Sequence, residues 1–130
     1  MEIPTEMINI LLCDDERKIT NQLAKYINTF YKSLNKEYTI TICHSGLELN
    51  KLIDQRLKMD VIFLDIELKE HDKNGVWAAK MTKQKNPESI IIFTTNHEEY
   101  IDDVIEKYAF RYWSKPIDEY RLKKEYASYS

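Results

Sequence analysis

The sequence predicts an α/β fold, a five-stranded parallel sheet with helices on both faces. Three observations predict it. Short apolar runs recur without polar alternation, as strands buried on both faces do. Helical patterns separate those runs one by one, the order that builds crossover connections. And the runs end in Asp14, Asp65, Thr95 and the Ser114-Lys115 pair, residues that a parallel sheet with right-handed crossovers gathers on one rim.

Ile8-Asn9-Ile10-Leu11-Leu12-Cys13 reads as the first strand, running straight into Asp14-Asp15. A helical pattern follows from about Arg17 to Lys32, with Ile19, Leu23, Tyr26, Ile27 and Phe30 on one face. Tyr38–Cys43 is rich in β-branched residues and reads as strand two. After Ser45-Gly46 a short helix carries Leu49, Leu52 and Ile53 inward. Val61-Ile62-Phe63-Leu64 is strand three and ends at Asp65. The polar stretch Lys69 to Asn74 leads to a helix that opens at Gly75, holds Val76, Ala78 and Ala79, and stops at Asn86-Pro87. Strand four is Ile90-Ile91-Ile92-Phe93, ending in Thr94-Thr95. A weakly patterned helix covers roughly 98 to 107, and Phe110-Arg111-Tyr112-Trp113 forms strand five. The last helix begins near Ile117 and is still without a capping residue at Ser130.

At 130 residues, 43% hydrophobic and 32% charged, the composition is that of one soluble globular domain. A net charge of −3 and a pI near 5.6 argue against this segment gripping nucleic acid, which needs a basic face. No apolar run reaches the length of a membrane span and the first residues lack a signal-peptide pattern, so the expectation is a cytoplasmic protein with no membrane partner. The only glycines are Gly46 and Gly75, too few for a dinucleotide fingerprint or a Walker-type phosphate loop. Cys13 and Cys43 are expected to be reduced core residues. His44, His71 and His97 show no zinc-ligand spacing.

Three carboxylates brought to one edge repel one another, and a hard, oxygen-loving cation such as Mg²⁺ relieves them. Thr94-Thr95 and Lys115 add a hydroxyl and an ammonium to that edge. Carboxylate, cation, hydroxyl and lysine together suit a phosphoryl group. Asp14 and Asp15 also stand just before a helix, where an acid can cap the first turn and meet the positive end of the dipole.

Cys-Asp-Asp-Glu at 13–16, Phe-Leu-Asp-Ile-Glu at 63–67, Phe-Thr-Thr at 93–95 and Tyr-Trp-Ser-Lys-Pro at 112–116 carry a family resemblance. In that order and spacing, the chain resembles the CheY-like receiver domain of bacterial two-component response regulators over nearly its whole length. Ile-Ile-Phe-Thr-Thr-Asn-His-Glu-Glu-Tyr at 91–100 looks more specifically like receivers that precede a LytTR-type DNA-binding domain. The resemblance implies a flavodoxin-like, CheY-like strand order 2-1-3-4-5, with residues 1–130 as a single receiver and the N-terminal part of a longer regulator. It implies Asp65 as acceptor of a phosphoryl group from a partner histidine kinase. It implies Mg²⁺ (or Mn²⁺) held by Asp14, Asp15 and Asp65 with the backbone carbonyl of Glu67, Asp15 being favoured as a direct ligand and Asp14 as a water-mediated one. Thr95 and Lys115 would bind phosphoryl oxygens, and Tyr112 would be the aromatic whose rotation follows Thr95.

Several positions depart from the family's pattern: Lys69 and Glu70 follow the acceptor where a proline is usual, Gly75 lies ten residues beyond Asp65 rather than eight, Arg111 stands where relatives often carry an acid, and Trp113 where an aliphatic is usual. Six of the nine tyrosines fall after residue 99, in the region of the fourth helix, fifth strand and fifth helix. Through that face receivers pair as homodimers or contact an output domain, and DNA would be met only through a domain absent from this chain. The expected activity is switching rather than enzymatic turnover. Competing readings are a binding-only pseudo-receiver, which the complete acid, hydroxyl and lysine set opposes, and a haloacid-dehalogenase-type phosphatase. The latter's signature follows the first strand, whereas Asp65 follows the third.

Overall fold

A computed structural model of the chain describes residues 7–55, 57–65, 75–95, 111–115 and 118–126. In chain order the elements are β1 (Ile8–Cys13), α1 (Arg17–Leu34), β2 (Tyr38–Cys43), α2 (Gly46–Asp54), β3 (Val61–Asp65), α3 (Gly75–Lys85), β4 (Ile90–Thr95), β5 (Arg111–Ser114) and α4 (Glu119–Tyr126). The helix expected over 98–107 lies outside the described residues. Among them no helix is long and apolar enough to cross a membrane.

Strands β2-β1-β3-β4 lie side by side in the expected parallel order. The short β5 pairs parallel with the free side of β4, from Ile92↔Arg111 to Thr95↔Ser114. Ser114 thus belongs to the ladder, one residue beyond the apolar run that predicted this strand, because register against β4 outweighs serine's weak strand preference.

Alternation along each strand splits the core into two layers. Leu11, Cys13, Cys43, Ile62, Leu64, Ile91 and Phe93 pack with Leu49 and Ile53 of α2 and Ala78 and Ala79 of α3. On the opposite face Ile10, Leu12, Val61, Phe63 and Ile92 pack with Leu23, Ile27, Phe30 and Tyr31 of α1 and Leu122 of α4. Helices therefore cover both faces, and every residue of β3 is buried. That double burial is the physical reason the strands read as unbroken apolar runs.

Helix α1 runs to Leu34, two residues past its predicted end. Asn35 closes it in the left-handed region at φ 54°, ψ 38°, a conformation asparagine tolerates better than most residues. The Asn35 N–H donates to the Lys32 carbonyl and the Lys36 N–H to the Tyr31 carbonyl, the paired bonds of a Schellman close. Helix α2 is fastened at its start. Ser45 Oγ accepts from the Glu48 N–H at 3.1 Å, and Glu48 Oε2 accepts from the His44 N–H at 3.0 Å, a variant of the reciprocal capping box. Ser45→Ala is expected to cost about 1 kcal/mol, read as a lower urea midpoint at unchanged slope.

Cys13 and Cys43 are both buried and free. They are also register partners across β1 and β2, a proximity their thirty-residue separation conceals.

Candidate functional site

Parallel register brings the site together. Cys13 of β1 is the Cα partner of Leu64 of β3, so the next residues, Asp14 just past β1 and Asp65 at the end of β3, stand side by side at one height. Carboxylate oxygens of Asp14, Asp15 and Asp65 all lie within 4.8 Å of one another. Asp14 and Asp65 are buried, at 1% and 2% exposure, whereas Asp15 is exposed.

The expected lysine arrives from the other side of the sheet. The Lys115 N–H donates to the Thr95 carbonyl at 2.7 Å, which ties the residue after β5 to the end of β4. Its Nζ then reaches 2.7 Å from Asp14 Oδ2 and 3.5 Å from Asp65 Oδ1, with the lysine side chain only 3% exposed. Thr95 is fully buried beside it, and Thr94 is the Cα partner of Asp65. Both threonines therefore sit at the same strand end.

Two buried carboxylates share one ammonium, and the ionisations reflect it. Burial pushes the Asp14 carboxyl above its ordinary range. Contact with Lys115 and the Glu16 N–H pull it back only in part, and Asp15 adds repulsion. For Lys115 burial acts downward, but the Asp14 contact and the charges of Asp65 and Asp14 outweigh it and raise the ammonium's pKa. Lys115 thus gains from two anions, while Asp14 has half a cation.

Asp14 is braced on every side except one. Its N–H donates to the Cys43 carbonyl at 3.2 Å, and its Oδ1 accepts from the Glu16 N–H at 2.9 Å. Its carbonyl lies 3.0 Å from His44 Nδ1. Its buried Oδ2 faces the Lys115 ammonium at 2.7 Å. A buried anionic oxygen whose neighbouring ammonium also faces Asp65, beside two more carboxylates, belongs to a donor set that fits Mg²⁺. Asp14 does not cap α1: the N-cap position is Glu16, whose side chain makes no capping hydrogen bond. Asp14 braces the preceding turn instead.

The raised Asp14 pKa has a stability consequence. A carboxyl that holds its proton more tightly folded than unfolded contributes stability below its ordinary value of 3.8, and loses it as pH rises through the folded value. Asp14→Asn is therefore expected to raise the metal-free protein's thermal midpoint at pH 7 by several degrees, with little effect near pH 3. Calorimetry across that range, with and without MgCl₂, checks it; Mg²⁺ should stabilise the wild type more than the variant.

Asp14, Asp15, Asp65 and Lys115 are thus brought together, with Thr95 adjacent. The Tyr112 backbone pairs with Phe93 in the ladder, but its side chain lies outside the described residues, as do Glu67, His71 and His97. Sequence reasoning missed His44 and Arg17, whose Nη1 lies 3.3 Å from His44 Nε2. The available signal is position: His44 immediately follows β2, on the same sheet edge as the acids.

Known proteins resemble this chain in sequence and fold. An uncharacterized response regulatory protein of Yersinia pestis is 37% identical over 123 residues, covering 91% of this chain and 46% of its own length. The transcriptional regulatory protein LytR of Staphylococcus aureus is 31% identical over 117 residues, covering 88% of this chain and 44% of its own. The chain spans about half the length of the curated relatives it matches. The crystal structure of the response regulator TrrA of Thermotoga maritima, in complex with Mg²⁺ and BeF, superposes with a TM-score of 0.78 at 25% identity, over 95% of this chain and 100% of that one. Residues 10–127 match the family model of the response regulator receiver domain. With its acids, lysine and sheet order in place, the chain belongs to the response regulator receiver domain family of two-component systems.

Proposed function

We propose that this domain accepts a phosphoryl group on Asp65 from a phosphohistidine of a partner histidine kinase, in a Mg²⁺-dependent reaction, and that the modification switches an output. The observation that carries this reading is the convergence of three carboxylates within 4.8 Å, with Lys115 Nζ 2.7 Å and 3.5 Å from two of them. An Asp65 carboxylate oxygen attacks phosphorus, the new P–O bond forms as the histidine P–N bond breaks, and the imidazole keeps the electron pair. Such transfers pass through a loose transition state with charge spread over three oxygens, so alignment and charge neutralisation do most of the work. Asp14, Asp15, Asp65 and the Glu67 carbonyl would hold Mg²⁺, which supplies positive charge to the phosphoryl oxygens when bound. Lys115 is a compact cation placed to pair with another of those oxygens, and Thr95 offers a hydroxyl at the same strand end.

The switch would run from Thr95 to Tyr112 and out to the face of β5 and the flanking helices, where homodimerisation or output contact would follow. Tyr120 of α4, 74% exposed, supports that face as an interaction surface. Similarity to LytR supports placing this domain at the N-terminal end of a longer, LytTR-type transcriptional regulator that meets DNA through another domain. The domain would act in the cytoplasm, as a slowly self-dephosphorylating switch rather than a turnover enzyme.

Exposure to acetyl phosphate with and without Mg²⁺, followed by peptide mass spectrometry, tests the reading. One phosphoryl group on Asp65, formed only with the cation, is expected. An unmodified Asp65 would point instead to a receiver-like module that signals by binding alone.

A further inference from the structure

We infer that His44 is a positioning residue for the acid site: its Nδ1–H holds the Asp14 backbone carbonyl, and Arg17 locks the imidazole in the tautomer that can do so. The inference deepens the proposed Mg²⁺-binding role of the acids and rests on it.

The argument begins where the β1–β2 ladder ends. The Asp14 N–H still finds the Cys43 carbonyl across the ladder. The Asp14 carbonyl is the first beyond the paired stretch, in a residue 1% exposed, and a buried carbonyl needs a donor. His44 Nδ1, at 3.0 Å, supplies it.

The proton's place on the ring follows from its two neighbours. A backbone carbonyl can only accept, and a guanidinium can only donate. Arg17 Nη1 at 3.3 Å therefore makes Nε2 the acceptor, leaving the proton on Nδ1 facing Asp14. Both contacts select the same neutral tautomer.

The ring is itself rooted. The His44 N–H donates to Glu48 Oε2 in the first turn of α2, and Ser45 caps that helix. Asp14 is consequently gripped from the β2–α2 turn through both of its backbone groups. That leaves its side chain, already bonded through Oδ1 to the Glu16 N–H, little freedom to swing Oδ2 away from Asp65 and Lys115. Groups that orient a ligand from behind commonly govern affinity by an order of magnitude or more.

The test is a Mg²⁺ titration of the full chain by calorimetry and by thermal midpoint, in which stabilisation grows with the ratio of free cation to Kd. His44→Ala is expected to weaken Mg²⁺ affinity by about tenfold while remaining folded. His44→Asn, whose amide N–H can donate to the same carbonyl, should recover most of that affinity, a rescue that a purely structural role would not give. Wild-type affinity in His44→Ala would overturn the inference, even if its midpoint without metal were lowered. Equal weakening in both variants would overturn it too, because the amide keeps the donor. Absence of Mg²⁺ binding by the wild type would instead overturn the metal-site reading on which the inference stands.

Discussion

Lys115→Met is expected to destabilise the metal-free protein by about 3–5 kcal/mol at pH 7, the cost typical of removing one partner from a buried charge cluster. Methionine fills most of the lysine's volume, so the loss is electrostatic rather than a cavity. The ammonium's pKa is raised in the folded state, so its contribution is complete below its ordinary value of 10.5 and is lost as pH rises through the folded value. At neutral pH the whole contribution is at stake. Without it Asp14 and Asp65, both buried, lose the cation they share. Two treatments should restore the variant: acidification, which neutralises the carboxyls, and MgCl₂, which replaces the missing cation. Urea titrations at pH 7 and pH 4, each with and without Mg²⁺, check the prediction. A deficit that ignored both treatments would assign Lys115 a packing role.

Asp65→Asn is expected to abolish phosphoryl labelling altogether. An amide keeps the shape of the carboxyl but lacks the anionic oxygen that attacks phosphorus. It can also replace a carboxylate next to Asp14 without adding volume to the fully buried end of β3, so the variant should stay folded. Intact-mass spectrometry after acetyl phosphate and Mg²⁺ should show a single added phosphoryl group in the wild type and none in the variant. Labelling that persisted in Asp65→Asn would move the acceptor elsewhere, and the exposed Asp15 at the same edge would be the first position to map.

Much of the framework was legible because it depends on local, repeating chemistry. Continuous apolar runs such as Val61–Leu64 mark strands buried on both faces. The spacing of Leu23, Ile27 and Phe30 marks a helix with one buried side. Even the meeting of Asp14 and Asp65 follows from strand type, since parallel neighbours end together. Where reading stopped, the cause was contact between distant segments. The capping role first open to Asp14 gave way to a brace on Glu16, a matter of turn geometry. Cys13 and Cys43 became neighbours only through β1–β2 register.

By itself the sequence determined the element order, the chemical types at the strand ends and the family, because periodicity and motif spacing survive without coordinates. Only the tertiary structure decided how charge is shared at the site: that Lys115 sits closer to Asp14 than to Asp65, that Asp14 is buried while Asp15 is exposed, and that His44 stands behind Asp14. The reason is physical. Register and burial set distances of a few ångströms between residues up to about a hundred positions apart, and at that range small differences in placement govern ionisation and hydrogen bonding.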